Sequence, residues 1–403
     1  MTGRTASAAE TSGKVVRWPG LDLARVVVVG GLIPFHAALV FDATDDFYVK
    51  SDRTVDVIPF MAPVVVAAMP LLFLIAGIGT WHSWRARGTR DHLGRRARRL
   101  LVPLVAGTVL LVPLPVWLRL RADPGYTESY ADFWPRFFRV RWAWSEFPFV
   151  LQPAADGRGF ETGHLWFVYL LLLYSLAALP LLAWLGSARG GRTVHALAEL
   201  AGRRGAVLLP AVLLGGIAGP GLDEGIAAGT TVGYLVFFAA GALLAADPRF
   251  SEVVRRDAGL AAAVAVGLTA VAGATFLISG VDDPLLDRDP LVLAGRVAFG
   301  AAGWCAVIAI VGGLARLTPS AGRTGQDGAP GGRAVRYAAQ ASLPWYVLHQ
   351  PVVVVVAYLV VDSALHPVLE YLIVCVVSTV VTLLVYDLLI RRTALTRALF
   401  GGT

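Results

Sequence analysis

The chain has little cysteine and little charge, and each shortage excludes a class of protein. Its two cysteines, Cys305 and Cys375, both lie in apolar runs, so the sequence holds neither a disulfide framework nor the spacing of a thiolate metal site. Only 16% of the 403 residues are charged, whereas 56% are apolar. This balance excludes an ordinary soluble protein, which has no use for so many uninterrupted apolar runs.

Three common sequence signatures are also missing. The chain has no Gly-x-Ser-x-Gly elbow, no phosphate-binding glycine loop at a strand-to-helix junction and no cluster of metal ligands, and we therefore expect no metal cofactor. The net charge of +7 does not predict a nucleic-acid partner, because the basic residues lie in short segments between apolar runs. Any chemistry has to rest on histidine and arginine.

Apolar runs long enough to cross a bilayer recur from Leu21 to Ile390. A membrane-spanning helix needs about 20 predominantly apolar residues. The sequence therefore predicts an all-α, polytopic integral membrane protein with about ten transmembrane helices, embedded in a lipid bilayer. We expect these helices at residues 21–41, 60–82, 100–118, 165–186, 206–222, 230–246, 258–279, 291–315, 339–361 and 367–390.

The charge of the connecting segments predicts the side of the membrane that each one faces. The arginine-rich segments are residues 83–99, 187–205, 247–257, 316–338 and the tail after Ile390. The intervening segments carry acids instead, among them Asp42, Asp223 and Asp282. Because cytoplasmic segments are the positive ones, both termini are expected in the cytoplasm.

The chain is accordingly divided into a cytoplasmic N-terminal segment at residues 1–20, one membrane domain at residues 21–392 and a cytoplasmic tail at residues 393–403. Residues 1–20 contain no apolar run, so we expect no cleavable signal peptide there and a first span that is retained. Lysine occurs only twice, whereas alanine, glycine, valine and arginine are abundant, which is typical of GC-rich bacterial genomes. We expect a multi-pass protein of the bacterial plasma membrane.

Two connecting segments differ from the others in composition. Residues 119–163, predicted to lie outside, hold six arginines, six acids and a run of aromatic residues. They predict an interfacial helix with its rings at headgroup depth, a lid whose rings stack on a sugar, or both. Residues 316–338 contain a stretch rich in glycine and polar residues, which predicts a flexible cytoplasmic linker.

The first apolar run carries two ionisable residues, Arg25 near its start and His36 near its end. Eleven residues separate them, which is about three helical turns, so both project from one face roughly 16 Å apart along the axis. An ionisable pair inside a span indicates a functional site. Asp22 precedes Arg25 by three residues and is close enough on a helix to pair with it.

This pair supports more than one interpretation. A guanidinium can hold a phosphate or an anionic chain, and a neutral imidazole can take a proton from an attacking hydroxyl, which together suit acyl transfer. Arg25 by itself could equally reach the cytoplasmic headgroups. A transporter or flippase that uses Arg25 and His36 to pass an anionic or proton-coupled substrate is the alternative function.

Four phrases, taken in order, resemble the membrane acyltransferase-3 family: LDLAR followed by His36, then FLIAGIG, GHLWFVYLLL and ASLPWYVLHQPVVV. The HLWF and HQP phrases are most similar to the branch typified by the glucan biosynthesis succinyltransferase. The resemblance extends from Leu21 to about Arg392.

The resemblance implies an enzyme that moves an acyl group, such as acetyl or succinyl, from cytoplasmic acyl-CoA to a hydroxyl of an extracytoplasmic glycan or related acceptor. It implies that His36 is catalytic, either as a general base or as a transient acyl carrier, and that Arg25, supported by Asp22, positions CoA. An arginine pair entering the third helix, Arg96 with Arg99 or Arg95 with Arg98, would bind CoA phosphates or mark a positive-inside segment.

Three further residues are candidates for the site. His164 and Trp166 begin the fourth helix on the external side predicted for His36, where they could shape the acceptor site. His349 precedes Gln350 and Pro351 in the ninth helix, where proline frees a backbone carbonyl and kinks the helix. We expect His349 to have a structural or tunnel-lining role. These residues do not specify the acyl group, the acceptor or the oligomeric state.

Overall fold

The structure is a computed structural model that describes residues 20–43, 46–139, 160–220, 228–281, 287–317 and 332–402. Its helices are α1 (Leu21–Leu39), α2 (Ile58–Leu110), α3 (Pro113–Arg121), α4 (Tyr130–Phe137), α5 (Trp166–Ala177), α6 (Leu179–Leu185), α7 (Ala188–Ala201), α8 (Pro210–Ala218), α9 (Ala228–Ala246), α10 (Arg249–Ser279), α11 (Pro290–Leu317), α12 (Gly332–Val360), α13 (Pro367–Val385) and α14 (Ala394–Phe400). Short 3₁₀ turns at Gly163–Leu165 and Ala206–Leu208 precede α5 and α8, and a π-helix at Tyr386–Ile390 continues α13. These elements confirm the predicted all-α class.

Within the described residues, six helices are long and apolar enough to cross a membrane, and up to eight spans result if each of two bent helix pairs forms one. One pair joins Gly163–Ala177 to Leu179–Leu185 with a bend of 48°, and the other joins Ala188–Ala201 to Ala206–Ala218 with a bend of 118°. The chain is therefore a multi-pass membrane protein. The count of about ten spans and the orientation of the termini stay predictions.

The longest element, α2, folds back on itself at Gly88. This glycine has φ 74° and ψ 173°, a backbone conformation that L side chains rarely adopt. Phe73 and Gly107 lie on opposite arms, yet both contact the start of α5: the ring of Phe73 is 4.8 Å from that of Phe167, and a Cβ at Gly107 would lie 2.8 Å from Leu165 Cδ1. A straight helix would separate the two arms by about 50 Å at these positions. The arms 58–87 and 89–110 are therefore antiparallel.

Three segments that the charge pattern assigns to loops are largely helical, so the predicted helix ends were wrong there. Residues 83–99 are helical except at Gly88, residues 187–205 contain all of α7, and α10 begins at Arg249 rather than near residue 258. Arginine has a high helix propensity, and a helix can continue into water beyond the bilayer. Positive charge thus predicts the side of a segment but not its secondary structure.

The aromatic segment 119–163 contains one short helix in its described part. Ser129 caps α4 by accepting a hydrogen bond from the backbone N–H of Asp132 at 3.3 Å, and Trp134 Nε1–H donates to the carbonyl of Val109 at 3.0 Å. The helix is thereby held against the second arm of α2. The other aromatic residues of this prediction, Trp142, Trp144, Phe147 and Phe149, lie outside the described residues, as do residues 1–19 and 318–331.

The helices α2 and α9 approach each other closely because two glycines face backbone carbonyls. A Cβ at Gly77 would lie 1.9 Å from the carbonyl oxygen of Phe238, and one at Gly241 would lie 2.1 Å from that of Leu74. Only hydrogen fits at these two positions. Small residues at such crossings let membrane helices pack backbone to backbone, and Gly77 of the phrase FLIAGIG has this role.

Candidate functional site

His36 lies in the last turn of α1, two residues after Pro34. Its Nδ1–H donates to the carbonyl of Leu32 at 2.8 Å, which fixes the ring on the helix. The ring of Phe47, from the segment that follows α1, lies 5.8 Å away between ring centres. The end of α1 thus presents an imidazole beside the segment that connects α1 to α2.

Two other histidines meet His36 and form a histidine cluster. The ring of His349, from α12, lies 5.0 Å from that of His36, and the ring of His164, from the turn before α5, lies 5.3 Å from that of His349. The sequence marked all three as separate candidates. It did not predict that they touch, since each comes from a different helix.

Backbone carbonyls set the tautomer of each histidine in the cluster. A carbonyl oxygen only accepts hydrogen bonds, so the ring nitrogen that faces it carries the proton. His164 Nε2–H donates to the carbonyl of Val347 at 2.9 Å, and His349 Nδ1–H donates to that of Tyr346 at 2.6 Å. Together with the bond from His36 to Leu32, these contacts fix the tautomer that each ring has in its neutral form. The lone pairs lie on Nε2 of His36, Nδ1 of His164 and Nε2 of His349.

Only one member of the cluster is partly accessible. His349 is 0% exposed and His164 is 6% exposed, whereas His36 is half-buried. A lone pair on a half-buried imidazole can meet a substrate, while Nε2 of His349 is buried and has no hydrogen-bond partner in the described part of the chain. Among the described residues, no three His, Cys, Asp or Glu side chains are placed to hold a metal ion.

Arginines gather at the other end of α1. Arg25 Nη2 lies 2.7 Å from Asp22 Oδ1. Arg99, on the second arm of α2, lies within Coulombic range of both Arg25 and Arg96. Arg96 Nε–H donates to the hydroxyl of Ser175 at 2.8 Å, which turns Arg96 toward α5.

We call Arg25, Arg96 and Arg99 the arginine cluster. Two of its nitrogens are hydrogen-bond donors without a partner among the described residues. Arg25 Nε and Arg96 Nη2 are buried and lack a hydrogen-bond partner within the described ranges. Arg96 is half-buried, whereas Arg95, Arg98 and Arg99 are exposed. The contacts of Arg96 with Ser175 and the nearness of Arg99 to Arg25 favour Arg96 and Arg99 as the pair that faces the cluster. Three like charges facing one acid leave a local excess of positive charge, which favours an anion.

A third group of polar side chains lies beside the histidine cluster. Tyr48 donates from its hydroxyl to Glu161 Oε1, and the guanidinium of Arg119 lies 4.3 Å from the centre of the Tyr48 ring. Burial raises the pKa of Glu161, and burial together with the Glu161 carboxylate raises the pKa of Tyr48 well above its usual range. We call Tyr48, Arg119, Glu161 and Thr162 the outer polar group.

Sequence reasoning did not find the outer polar group. Glu161 and Thr162 directly precede the GHLWF phrase, which was the one available signal, and Tyr48 and Arg119 carry no motif. Trp166, by contrast, was a candidate for the acceptor site. Its ring stacks on Tyr234 at 5.7 Å and packs near Phe73, rather than on the histidine rings.

Comparison with known families adds one finding. A family profile described as an acyltransferase domain, of the acyltransferase-3 type, matches residues 18–387. This match covers α1 to the π-helix and therefore all three clusters. No curated protein and no solved structure matches the chain significantly.

Proposed function

We propose a donor and an acceptor for this chain, which belongs to the acyltransferase-3 family and is a membrane acyltransferase. The donor is cytoplasmic acyl-CoA, and the acceptor is a hydroxyl of an extracytoplasmic glycan or related molecule. The observation that carries this proposal is the layout of α1. One end of this helix presents the half-buried, neutral imidazole of His36, and the other end joins a cluster of three arginines.

The arginine cluster supports a phosphorylated donor. Guanidinium groups bind phosphate oxygens through parallel N–H bonds, and such charge-assisted bonds are stronger than neutral ones. The unpartnered nitrogens of Arg25 and Arg96 would donate to the phosphates of CoA. Asp22 holds Arg25 in place through its 2.7 Å contact. The pantetheine arm would then run along α1 and carry the thioester toward His36.

The chemistry at His36 is acyl transfer from sulfur to oxygen. Nε2 of His36 takes the proton of the acceptor hydroxyl, the hydroxyl oxygen bonds to the thioester carbonyl carbon, and the C–S bond breaks. The proton then passes to the departing CoA thiolate, which leaves His36 neutral again. The same lone pair could instead attack the thioester and carry the acyl group before the hydroxyl arrives.

Buried neighbours support a neutral His36 as the resting state. A second imidazolium 5.0 Å away would repel the first, which disfavours the protonation of His36 and His349 together. The bond from Nδ1–H to the Leu32 carbonyl keeps the lone pair on Nε2, where a base or nucleophile needs it.

The glucan biosynthesis succinyltransferase-like branch supplies a specific substrate pair for this proposal. The HLWF and HQP phrases place His164 and His349 in the histidine cluster. Succinyl-CoA as donor and a linear glucan as acceptor are therefore the first pair to test, with acetyl-CoA as the smaller donor.

The helix count supports ten membrane crossings with both termini in the cytoplasm. The six long apolar helices give seven crossings when the hairpin of α2 counts as two, nine with the bent pairs, and ten with Thr231–Ala246. An even number of crossings would put both termini on one side, and the arginine-rich segments support the cytoplasm as that side. This orientation puts the arginine cluster inside and the histidine cluster toward the outside.

The test measures release of the free CoA thiol by purified full-length protein in lipid nanodiscs, with succinyl-CoA or acetyl-CoA and a linear glucan oligosaccharide. We expect oligosaccharide-dependent release, reduced about 100-fold or more in His36→Gln, whose amide cannot take up the proton. Unchanged turnover in this variant would overturn the role of His36. A transporter would release no thiol in response to the acceptor.

The donor site has a matched set of variants. Arg96→Ala and Arg99→Ala should raise the KM for acyl-CoA, because each removes a phosphate-binding guanidinium. Arg95→Ala and Arg98→Ala remove the same charge from neighbouring exposed positions. Equal KM values across the four variants would show that the arginines act only through membrane topology.

A further inference from the structure

The outer polar group contains a buried hydroxyl that no other described residue uses. Thr162 is 4% exposed, and its Oγ1 has no hydrogen-bond partner in the described part of the chain. A buried hydroxyl without a partner destabilises a protein and is rare in native structures. Such a group needs an explanation that the fold itself does not supply.

The two local uses of a threonine hydroxyl do not apply to Thr162. Threonine before a helical turn usually accepts a backbone N–H, yet Thr162 makes no side-chain cap bond. Buried hydroxyls within helices usually donate to the carbonyl four residues earlier, as Thr80 and Ser175 do here at 2.7 and 2.6 Å. The hydroxyl of Thr162 is therefore left for another partner.

A second unpartnered donor lies on the same side of the histidine cluster. Arg119 Nε is buried without a hydrogen-bond partner in the described ranges, although Arg119 Nη2–H donates to the carbonyl of Asp46 at 3.1 Å. The guanidinium rests 4.3 Å from the centre of the Tyr48 ring, and Tyr48 bonds to Glu161 beside Thr162. Two donors with unmet hydrogen bonds thus belong to one contiguous group.

The outer polar group is joined to the histidine cluster on two sides, to His164 along the chain and to His36 through Phe47. Thr162 is two residues from His164, and Gly163 between them is packed so tightly that an added Cβ would lie 3.1 Å from the Tyr48 hydroxyl. Phe47 contacts both Tyr48, with ring centres 5.6 Å apart, and His36 at 5.8 Å. A molecule bound by the outer polar group would therefore lie next to His36.

We propose that Thr162 and Arg119 form a subsite that binds the neighbouring hydroxyls of a polyhydroxylated acceptor. Thr162 Oγ1 would donate to or accept from one hydroxyl, Arg119 Nε–H would donate to another, and the Tyr48–Glu161 pair would hold both in place. A carboxyl, a phenol, a guanidinium and an alcohol side by side suit a neutral polyol, because each can exchange hydrogen bonds with its hydroxyls. This inference rests on the proposed function.

Replacement of Thr162 by valine separates this subsite from a structural role. Valine keeps the shape of threonine but removes the hydroxyl, and it removes no hydrogen bond between described residues. A purely structural hydroxyl therefore predicts equal or higher thermal stability and unchanged substrate binding. A subsite predicts equal or higher stability together with weaker binding of the acceptor.

The experiment measures binding of a linear glucan oligosaccharide to the full-length protein in nanodiscs by saturation-transfer NMR, without any acyl donor. We expect Thr162→Val to weaken binding about tenfold and Thr162→Ser, which keeps the hydroxyl, to restore it. Thr382→Val is the control, because Thr382 has a similarly buried, unpartnered hydroxyl on α13. Equal affinities in the wild type and Thr162→Val, or no binding by the wild type, overturn the subsite.

The same variants in the CoA-release assay distinguish this inference from the proposed function. We expect Thr162→Val to raise the KM for the oligosaccharide about tenfold while the KM for acyl-CoA and the donor hydrolysis without acceptor stay at wild-type values. Absence of CoA release in the wild type would overturn the proposed function and leave the binding result unaffected. Normal CoA release with an unchanged acceptor KM in Thr162→Val would overturn the subsite alone.

Discussion

Arg53 Nη2 lies 2.6 Å from Glu370 Oε1 and ties the segment after α1 to the first turn of α13. The carboxylate is fully buried, whereas the guanidinium is half exposed. The hydroxyl of Ser363 donates to the same carboxylate oxygen at 2.9 Å, and Arg53 also donates to the carbonyl of Leu365 at 2.6 Å. The pair therefore holds the ends of three elements together, next to the end of α1 that carries His36, where the Tyr371 hydroxyl of α13 donates to the Pro34 carbonyl.

Replacement of Arg53 by alanine should lower the free energy of unfolding by about 3 kcal/mol, because the buried carboxylate of Glu370 loses its cation. Thermal unfolding in detergent measures the change. The matched control is Arg391→Ala, whose ion pair with Asp387 is also close, at 3.0 Å, but exposed on both sides. Its effect should stay below about 1 kcal/mol. Equal effects of the two substitutions would contradict the role of burial.

Replacement of Gly77 by alanine should prevent the normal packing of α2 on α9. The new methyl group would meet the carbonyl oxygen of Phe238 at 1.9 Å, and neither backbone can yield without moving a helix. Gly79, two residues along the same helix, has no atom within 4 Å of the added Cβ, so Gly79→Ala should be close to neutral. The yield of monodisperse protein after size-exclusion chromatography compares the two. Similar yields would show that the helices do not need this close approach.

Replacement of Gly88 by alanine should destabilise the hairpin of α2 by about 1–3 kcal/mol. An added Cβ would have open space there, so the cost comes from the backbone conformation at φ 74° and not from a clash. Gly94, in the next arm, also has open space but lacks that conformation, and Gly94→Ala should stabilise the helix by up to about 1 kcal/mol. Thermal unfolding of both variants is the measurement, and shifts of the same sign would count against the argument.

The buried carboxyl of Glu161 should make stability depend on pH. Its pKa in the folded protein is raised above the usual value of 4.5, mainly by burial, so folding favours the protonated form. This contribution is present in full below pH 4.5 and is lost as the pH rises through the raised pKa. Between pH 4.5 and 8, the wild-type melting temperature should therefore fall more than that of Glu161→Gln. An exposed acid, Glu199, provides the control substitution Glu199→Gln.

Much of the fold could be predicted from the sequence because the bilayer imposes a simple rule on length and polarity. The apolar runs predicted the ends of α1, α11 and α13 to within a few residues. The rule fails where a helix continues into water, as at residues 83–99, since arginine favours helix as well as the cytoplasmic side. The rule also does not predict that α2 turns at Gly88, because this turn depends on the backbone conformation of one glycine and not on composition.

The candidate site could be predicted only as separate residues. Arg25 and Asp22 share a helix turn, so their contact follows from spacing alone. His36, His164 and His349 lie more than 100 residues apart, and their meeting depends on the rotation of three helices about their axes. Tyr48 and Arg119 have no motif, and their place beside Glu161 is a consequence of tertiary packing.

Because Arg25 and His36 lie on one helix, α1 fixes the distance between them. Backbone hydrogen bonds set the eleven-residue spacing, so Arg25 and His36, the proposed donor anchor and the proposed catalytic residue, lie about 16 Å apart along the helix axis. A thioester of a short thiol could not contact Arg25 and His36 at the same time. The thioester of a carrier with a longer arm would extend past the His36 imidazole. The enzyme would thus select its donor by the distance from phosphate to sulfur, and its selectivity for the acyl chain beyond the carbonyl would be independent of that distance.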